Sequence, residues 1–147
     1  MSAVPADRSE IRRQYAAAWR KARAGEELTA GERRIAGVIS EHPEYQRVVE
    51  SGEAAVEAEF TPEAGVTNPF LHMGLHIAVR EQVAIDRPPG VRRVFEALAA
   101  KRGAHDAEHA MIECLAETLW EAQRANRPPD DAAYAERLRR LGNADLG

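Results

Sequence analysis

Apolar residues recur at helical spacing along most of the chain, and no run shows the two-residue alternation of Val, Ile and aromatics that a half-buried strand carries. The pattern predicts an all-α fold. Ser9 is a good N-cap, and Ile11, Tyr15, Ala18, Trp19 and Ala22 make one apolar stripe before Gly25 ends the first helix, with Arg, Lys and Gln on its other face. Thr29 with Glu32 three positions on reads as a capping box, opening a helix through Ile35, Val38 and Ile39 that His42-Pro43 stops. A short helical segment, Glu44 to Glu50, follows. Ser51 to Thr67 contains Gly52, Pro62 and Gly65 among glutamates, and is expected to be mostly irregular with a turn of helix over Glu53 to Glu59.

The second half of the chain is better punctuated. Asn68-Pro69 sets an Asn cap before a proline at the first helical position, and the helix runs through Leu71, Leu75, Val79 and Val83 to about Ile85. Asp86 to Gly90, with its Pro88-Pro89 pair, breaks it. Val91 to Lys101 forms the next helix, ending at Gly103, and His105 to Arg124 a longer one closed by Asn126 to Pro129. Asp130 caps a last helix through Tyr134, Leu138 and Leu141. The expectation is a compact bundle of about five to six helices. Residues 1–147 are read as one helical domain, with 1–8 and 143–147 frayed.

Composition fits this picture and removes several function classes. The chain has 147 residues, 44% hydrophobic, enough to bury a core without disulfides. Charged residues are 30% of the chain and nearly balance at net charge -4, so no strong field attracts nucleic acid or anionic lipid. Cys114 is the one cysteine, which excludes an internal disulfide and a thiolate-rich zinc site and suits a reducing compartment. Charges stand near the N-terminus where a signal core would be apolar, and no window is long and apolar enough to span a membrane, so a cytoplasmic location is expected. A homo-oligomer is compatible with the Ala-rich helix faces. No phosphate-cradling glycine loop, serine nucleophile motif or Cys-x-x-Cys is present.

What stands out chemically is histidine. Four of the five histidines form two pairs at spacing i, i+4, His72/His76 and His105/His109, each inside a predicted helix. That spacing puts both imidazoles on one face, a bite that one metal ion can span. Random placement gives two such separate pairs only about one time in a hundred, which bears on the false-positive risk of the motif. On the helical wheel His72 and His76 share their arc with Leu75, Val79 and Val83. His105 and His109 share theirs with Ile112, Ala116, Leu119 and Trp120, and with Glu108 and Glu113. Both pairs are therefore expected to face inward, Cys114 to face away, and Trp19 and Trp120 to lie in the core.

Two facing helices that each bring two histidines can surround a divalent ion in a bundle core. Nitrogen and carboxylate without thiolate suits iron, zinc, manganese or nickel; iron is preferred, then zinc. The expected ligands are His72, His76, His105 and His109 with Glu113, one turn after His109, or Glu108. Glu108 and Glu113 could instead accept the second ring N–H of a ligating histidine and fix its tautomer, and Arg80 and Asp106 are placed around the ligands in the same supporting capacity. Arg80, at the edge of the arc, could pair with Glu113 or cover the core edge. His42, before Pro43, is read as a helix-end residue.

Two other readings stand beside this one. The histidines could be structural, in a non-catalytic helical module that contacts a partner protein or a second copy. His105-Asp106-Ala107-Glu108-His109 also matches H-x-x-E-H, in which two histidines hold zinc and the glutamate is general base, yet only 38 residues follow His109 and no substrate-binding strand is apparent. A bis-histidine haem site would need a large apolar pocket, which 5% aromatic content does not suggest.

The segments Asn68 to His76, Arg80 to Gln82, Asp86 to Gly90 and His105 to Glu117, with Trp19 to Lys21, His42 to Tyr45 and Thr61 to Gly65, resemble the bacterial family called domain of unknown function 1841. The likeness covers most of the chain. It implies a small helical protein and carries over no catalytic residues.

Overall fold

The computed structural model describes residues 4–52 and 69–146. It is all-α, with seven helices rather than five or six and no strand among the described residues: α1 Val4–Arg23, α2 Ala30–Ser40, α3 Pro43–Glu50, α4 Pro69–Ile85, α5 Val91–Arg102, α6 Ala104–Ala125 and α7 Asp131–Leu146. Contacts gather into two compact units, which divide within α4 after Gly74. The helical turn expected over Glu53 to Glu59 and the cap expected at Asn68 lie outside the described residues.

In the first unit α1, α2 and α3 pack on one another. The capping box forms as the sequence requires: Thr29 Oγ1 accepts from the Glu32 amide at 3.1 Å, and Glu32 Oε1 accepts from the Thr29 amide at 2.9 Å. Ala36, Val38 and Ile39 of α2 and Tyr45 and Val49 of α3 are buried, as is Trp19, whose indole N–H donates to Glu50 at 2.8 Å. Two expectations for α1 are corrected. The helix starts at Val4 rather than after Ser9, and its buried face is rotated: Ile11 is 45% exposed whereas Arg12 is buried with its guanidinium 4.6 Å from the centre of the Phe70 ring. A guanidinium over a ring face recovers part of its desolvation cost through the ring quadrupole, which lets an arginine stem take an apolar place.

In the second unit α5, α6 and α7 pack on one another, and the later turns of α4 add Leu75, Ala78, Val79 and Val83 to their core. Leu98 and Met111, both fully buried, lie in that core with Val91, Ile112, Leu115, Tyr134 and Leu138. The junction between α5 and α6 matters for function. Gly103 sits at φ +87°, a conformation that L side chains rarely adopt, so α5 ends and α6 begins on the two sides of one residue. His105 is thereby fixed in the first turn of α6. Asn126, at φ 55° and ψ 52°, closes the far end of that helix. The Tyr134 hydroxyl donates to Gln82 Oε1, fastening α7 to α4.

Leu98→Ala is expected to cost about 2–5 kcal/mol, because a fully buried leucine in a well-packed core leaves a cavity that neighbours close only partly. Urea unfolding checks this: the midpoint should fall with an unchanged slope. No helix among the described residues is long and apolar enough to cross a membrane.

Candidate metal centre

The centre starts from two residues one turn apart on α4. His76 is completely buried, and its ring Nδ1 lies 2.6 Å from Oε1 of Glu108, itself buried on α6. Arg80 donates from Nε to Glu108 Oε2 at 2.8 Å and from Nη2 to Oε1 at 3.2 Å. The i, i+4 spacing of His76 and Arg80 thus brings both to the same carboxylate. Burial by itself would push the Glu108 carboxyl up; the hydrogen bonds from His76 and Arg80, with the positive charge of Arg80, outweigh it and hold the carboxyl below the usual carboxylate range. An ionised carboxylate only accepts, so His76 donates to it from Nδ1.

Two further imidazoles stand beside it. The rings of His76 and His109 have centroids 4.9 Å apart, those of His105 and His109 4.6 Å, and those of His76 and His105 6.4 Å. Two imidazoles on one ion, with metal–nitrogen distances of about 2.0–2.1 Å, have centroids about 4.5 Å apart at adjacent octahedral positions and about 5.2 Å apart at tetrahedral ones. The His109 ring is close to both neighbours, whereas the His76 and His105 rings stand wider apart. Burial falls across the trio: His76 is enclosed, His109 half-buried and His105 exposed.

The family described as domain of unknown function (DUF1841) matches residues 7–140. The chain belongs to that family. No curated protein and no solved structure matches it. All of His76, Arg80, His105, Glu108 and His109 fall inside the DUF1841 span.

Within this DUF1841 chain the other expected site residues separate. Glu108 has both oxygens engaged, Oε1 by His76 and Arg80 and Oε2 by Arg80. The same engagement argues against the H-x-x-E-H hydrolase reading, since a carboxylate paired with arginine and held below its usual range is a poor general base. Arg80 pairs with Glu108, not with Glu113. The inward phase expected for Glu113 is corrected: it is exposed, and so is Asp106, whose charge lies in the first turn of α6 where a helix N-terminus favours an anion.

The phase error for α6 has one cause. The helix buries Ala107, Ala110, Met111, Leu115, Thr118 and Ala122 along its packed face, a stripe turned toward Cys114 and away from Trp120. Cys114 accordingly packs against the second core, where burial pushes its thiol up, and does not face away. Trp120 is 56% exposed rather than in the core, its ring covered by the Arg124 guanidinium at 4.6 Å.

His72 belongs to the first unit, half-buried one turn before His76 on α4, with its ring 6.1 Å from that of Tyr45. His42, read from the sequence as a helix-end residue, makes no side-chain cap bond. It is buried, its Nδ1–H donates to the Val38 carbonyl at 2.7 Å, and its ring stacks on Tyr45 at 4.7 Å. The sequence allowed Glu108 to accept the second ring N–H of a ligating histidine, but it named neither His76 as the donor nor Glu108 as the partner of Arg80, which it offered to Glu113.

Proposed function

We propose that this DUF1841 protein binds a divalent metal, iron in first preference and zinc in second, through His76, His105 and His109. His72, the fourth histidine of the sequence reading, belongs to the first unit and is left out of this set. The observation that carries this reading is the hydrogen bond from the fully buried His76 Nδ1–H to the ionised, arginine-paired Glu108 at 2.6 Å. Metal-ligating histidines commonly donate their other ring N–H to a carboxylate, which fixes the tautomer and raises the basicity of the ligating nitrogen. A core histidine that needed only a partner would be satisfied by the carboxylate alone; here two more imidazoles stand within ring contact of it.

A donor set of imidazoles without thiolate suits iron and zinc and disfavours copper(I) and iron–sulfur chemistry. The role that fits is metal sensing, storage or oxidative chemistry, and peptidase activity is not part of it. Calorimetric titration with Zn2+, and with Fe2+ under anaerobic conditions, tests the reading: about one ion per chain is expected. At ion concentrations near a thousand times Kd, binding adds about 4 kcal/mol to stability, so chelation should lower the melting temperature by roughly 10 °C. A melting temperature indifferent to chelator and to both ions would end this reading.

A further inference from the structure

We propose a second site, independent of the metal reading: a cavity in the second unit, lined by the later turns of α4, by α6 and by the start of α7, binds a free α-amino acid with a large apolar side chain. Its volume is about 500 Å³, within the roughly 300–1,000 Å³ that small-molecule sites occupy. Pro88 and Pro89 after α4, Pro129 before α7, and Leu115 and Leu119 of α6 supply its apolar walls. Leu119 is 37% exposed although it lines a concavity, so an apolar occupant would take its side chain and the proline rings beside it out of water.

The walls are held by bonds of their own. Asp86 Oδ1 accepts from the amides of Gly90 and Arg92, at 3.2 and 3.0 Å, and the Arg92 guanidinium donates to the Val83 and Ala84 carbonyls, at 3.0 and 2.7 Å. These contacts fasten the Pro88-Pro89 loop to the end of α4. Asp130 Oδ1 accepts from the Ala133 amide at 3.0 Å, capping α7 directly after Pro129. The Tyr134 hydroxyl donates to Gln82, and the Thr118 hydroxyl accepts from Arg137 and donates to the Cys114 carbonyl. A cavity fixed in this way loses little freedom when a ligand enters.

The charges at the cavity select the ligand. Its two charged residues, Arg87 and Asp131, are exposed, and neither side chain has a hydrogen bond or ion pair with the other or with any further described residue. A guanidinium fork is shaped to receive a carboxylate through two parallel hydrogen bonds, and a carboxylate receives an ammonium. A molecule with a carboxylate, an ammonium and an apolar body therefore matches both charges and the walls at once. A plain anion or cation would meet one charge of its own sign.

NMR of the full chain, following leucine methyl and tyrosine ring signals as L-phenylalanine is added, tests this. Phenethylamine, which lacks the carboxylate, and phenylpropionate, which lacks the ammonium, run in parallel. The expected result is a saturable shift at Leu115, Leu119 and Tyr134 in the millimolar range or below, with each analogue binding about three- to fivefold more weakly, the size that one part-exposed charge pair supplies. Arg87→Gln should weaken L-phenylalanine by the same factor without weakening phenethylamine, and Asp131→Asn should weaken it without weakening phenylpropionate. No saturable shift at these three residues, analogues that bind as tightly as the amino acid, or a preference over phenethylamine that survives Arg87→Gln overturns the proposal. Metal binding stands or falls separately from each of these results.

Discussion

Glu108→Ala is expected to be among the most damaging single substitutions in the chain, lowering stability by about 3–5 kcal/mol. The reason is the pair of groups that Glu108 holds. His76 is fully buried with its Nδ1–H on Glu108, and Arg80 places both Nε and Nη2 on the same carboxylate. Removing the carboxylate takes a counter-charge and two hydrogen bonds from the Arg80 guanidinium and one hydrogen bond from the His76 Nδ1–H, and each loss carries a desolvation cost. Glu108→Gln separates the two losses. It retains the volume and one acceptor oxygen, so it should cost less than the alanine, while metal affinity should still fall about 10- to 100-fold because the charge that fixes the His76 tautomer is gone. Denaturant unfolding of the metal-free forms and metal titration of the folded ones read the two effects apart. Equal stability of wild type and Glu108→Ala would show that the buried triad does not hold α4 and α6 together.

His109→Ala is expected to reduce metal affinity by at least about a hundredfold, while the metal-free protein changes in stability by less than about 1 kcal/mol. The first figure follows from the total binding energy of structural zinc, about 10–16 kcal/mol over four ligands, which assigns roughly 3 kcal/mol to each. The second follows from alanine being the best helix former at a half-buried helix position. His109 is the informative choice because its ring lies within 5 Å of both other imidazoles, 4.9 Å from His76 and 4.6 Å from His105. Competition against a chromophoric chelator measures the change. An undiminished affinity would remove His109 from the ligand set.

The all-α class and most helix limits were legible because punctuation residues act locally. The Thr29/Glu32 capping box, Pro43, Gly90, Gly103 and Asn126 each act through their own backbone and near neighbours, and each sits where the pattern placed it. Helix phase was less legible, since it depends on what a helix packs against. α6 carries apolar side chains around much of its circumference, so a wheel centred on His105 and His109 took Trp120 for core and Glu113 for an inward carboxylate, whereas packing on α5 and α7 selects the Ala107, Met111 and Leu115 stripe. The histidine pairs were visible from spacing alone. The partnership of Glu108 with His76 and Arg80 was not, because it joins residues 32 and 28 positions apart and no local rule connects them. Arg12 is the opposite lesson: a charge at a helical position reads as surface, but a stem that can place its guanidinium over Phe70 is stable inside.

The histidine trio is proposed to hold a metal. Elemental analysis of the chain purified without chelators or an affinity tag that binds metal tests it most directly, run beside His76→Ala and His109→Ala. About one iron or zinc per chain is expected in the wild type, with the content of both variants falling to a small fraction of that. A wild-type chain that carries no stoichiometric metal, and whose melting temperature neither Fe2+ nor Zn2+ raises, would contradict it.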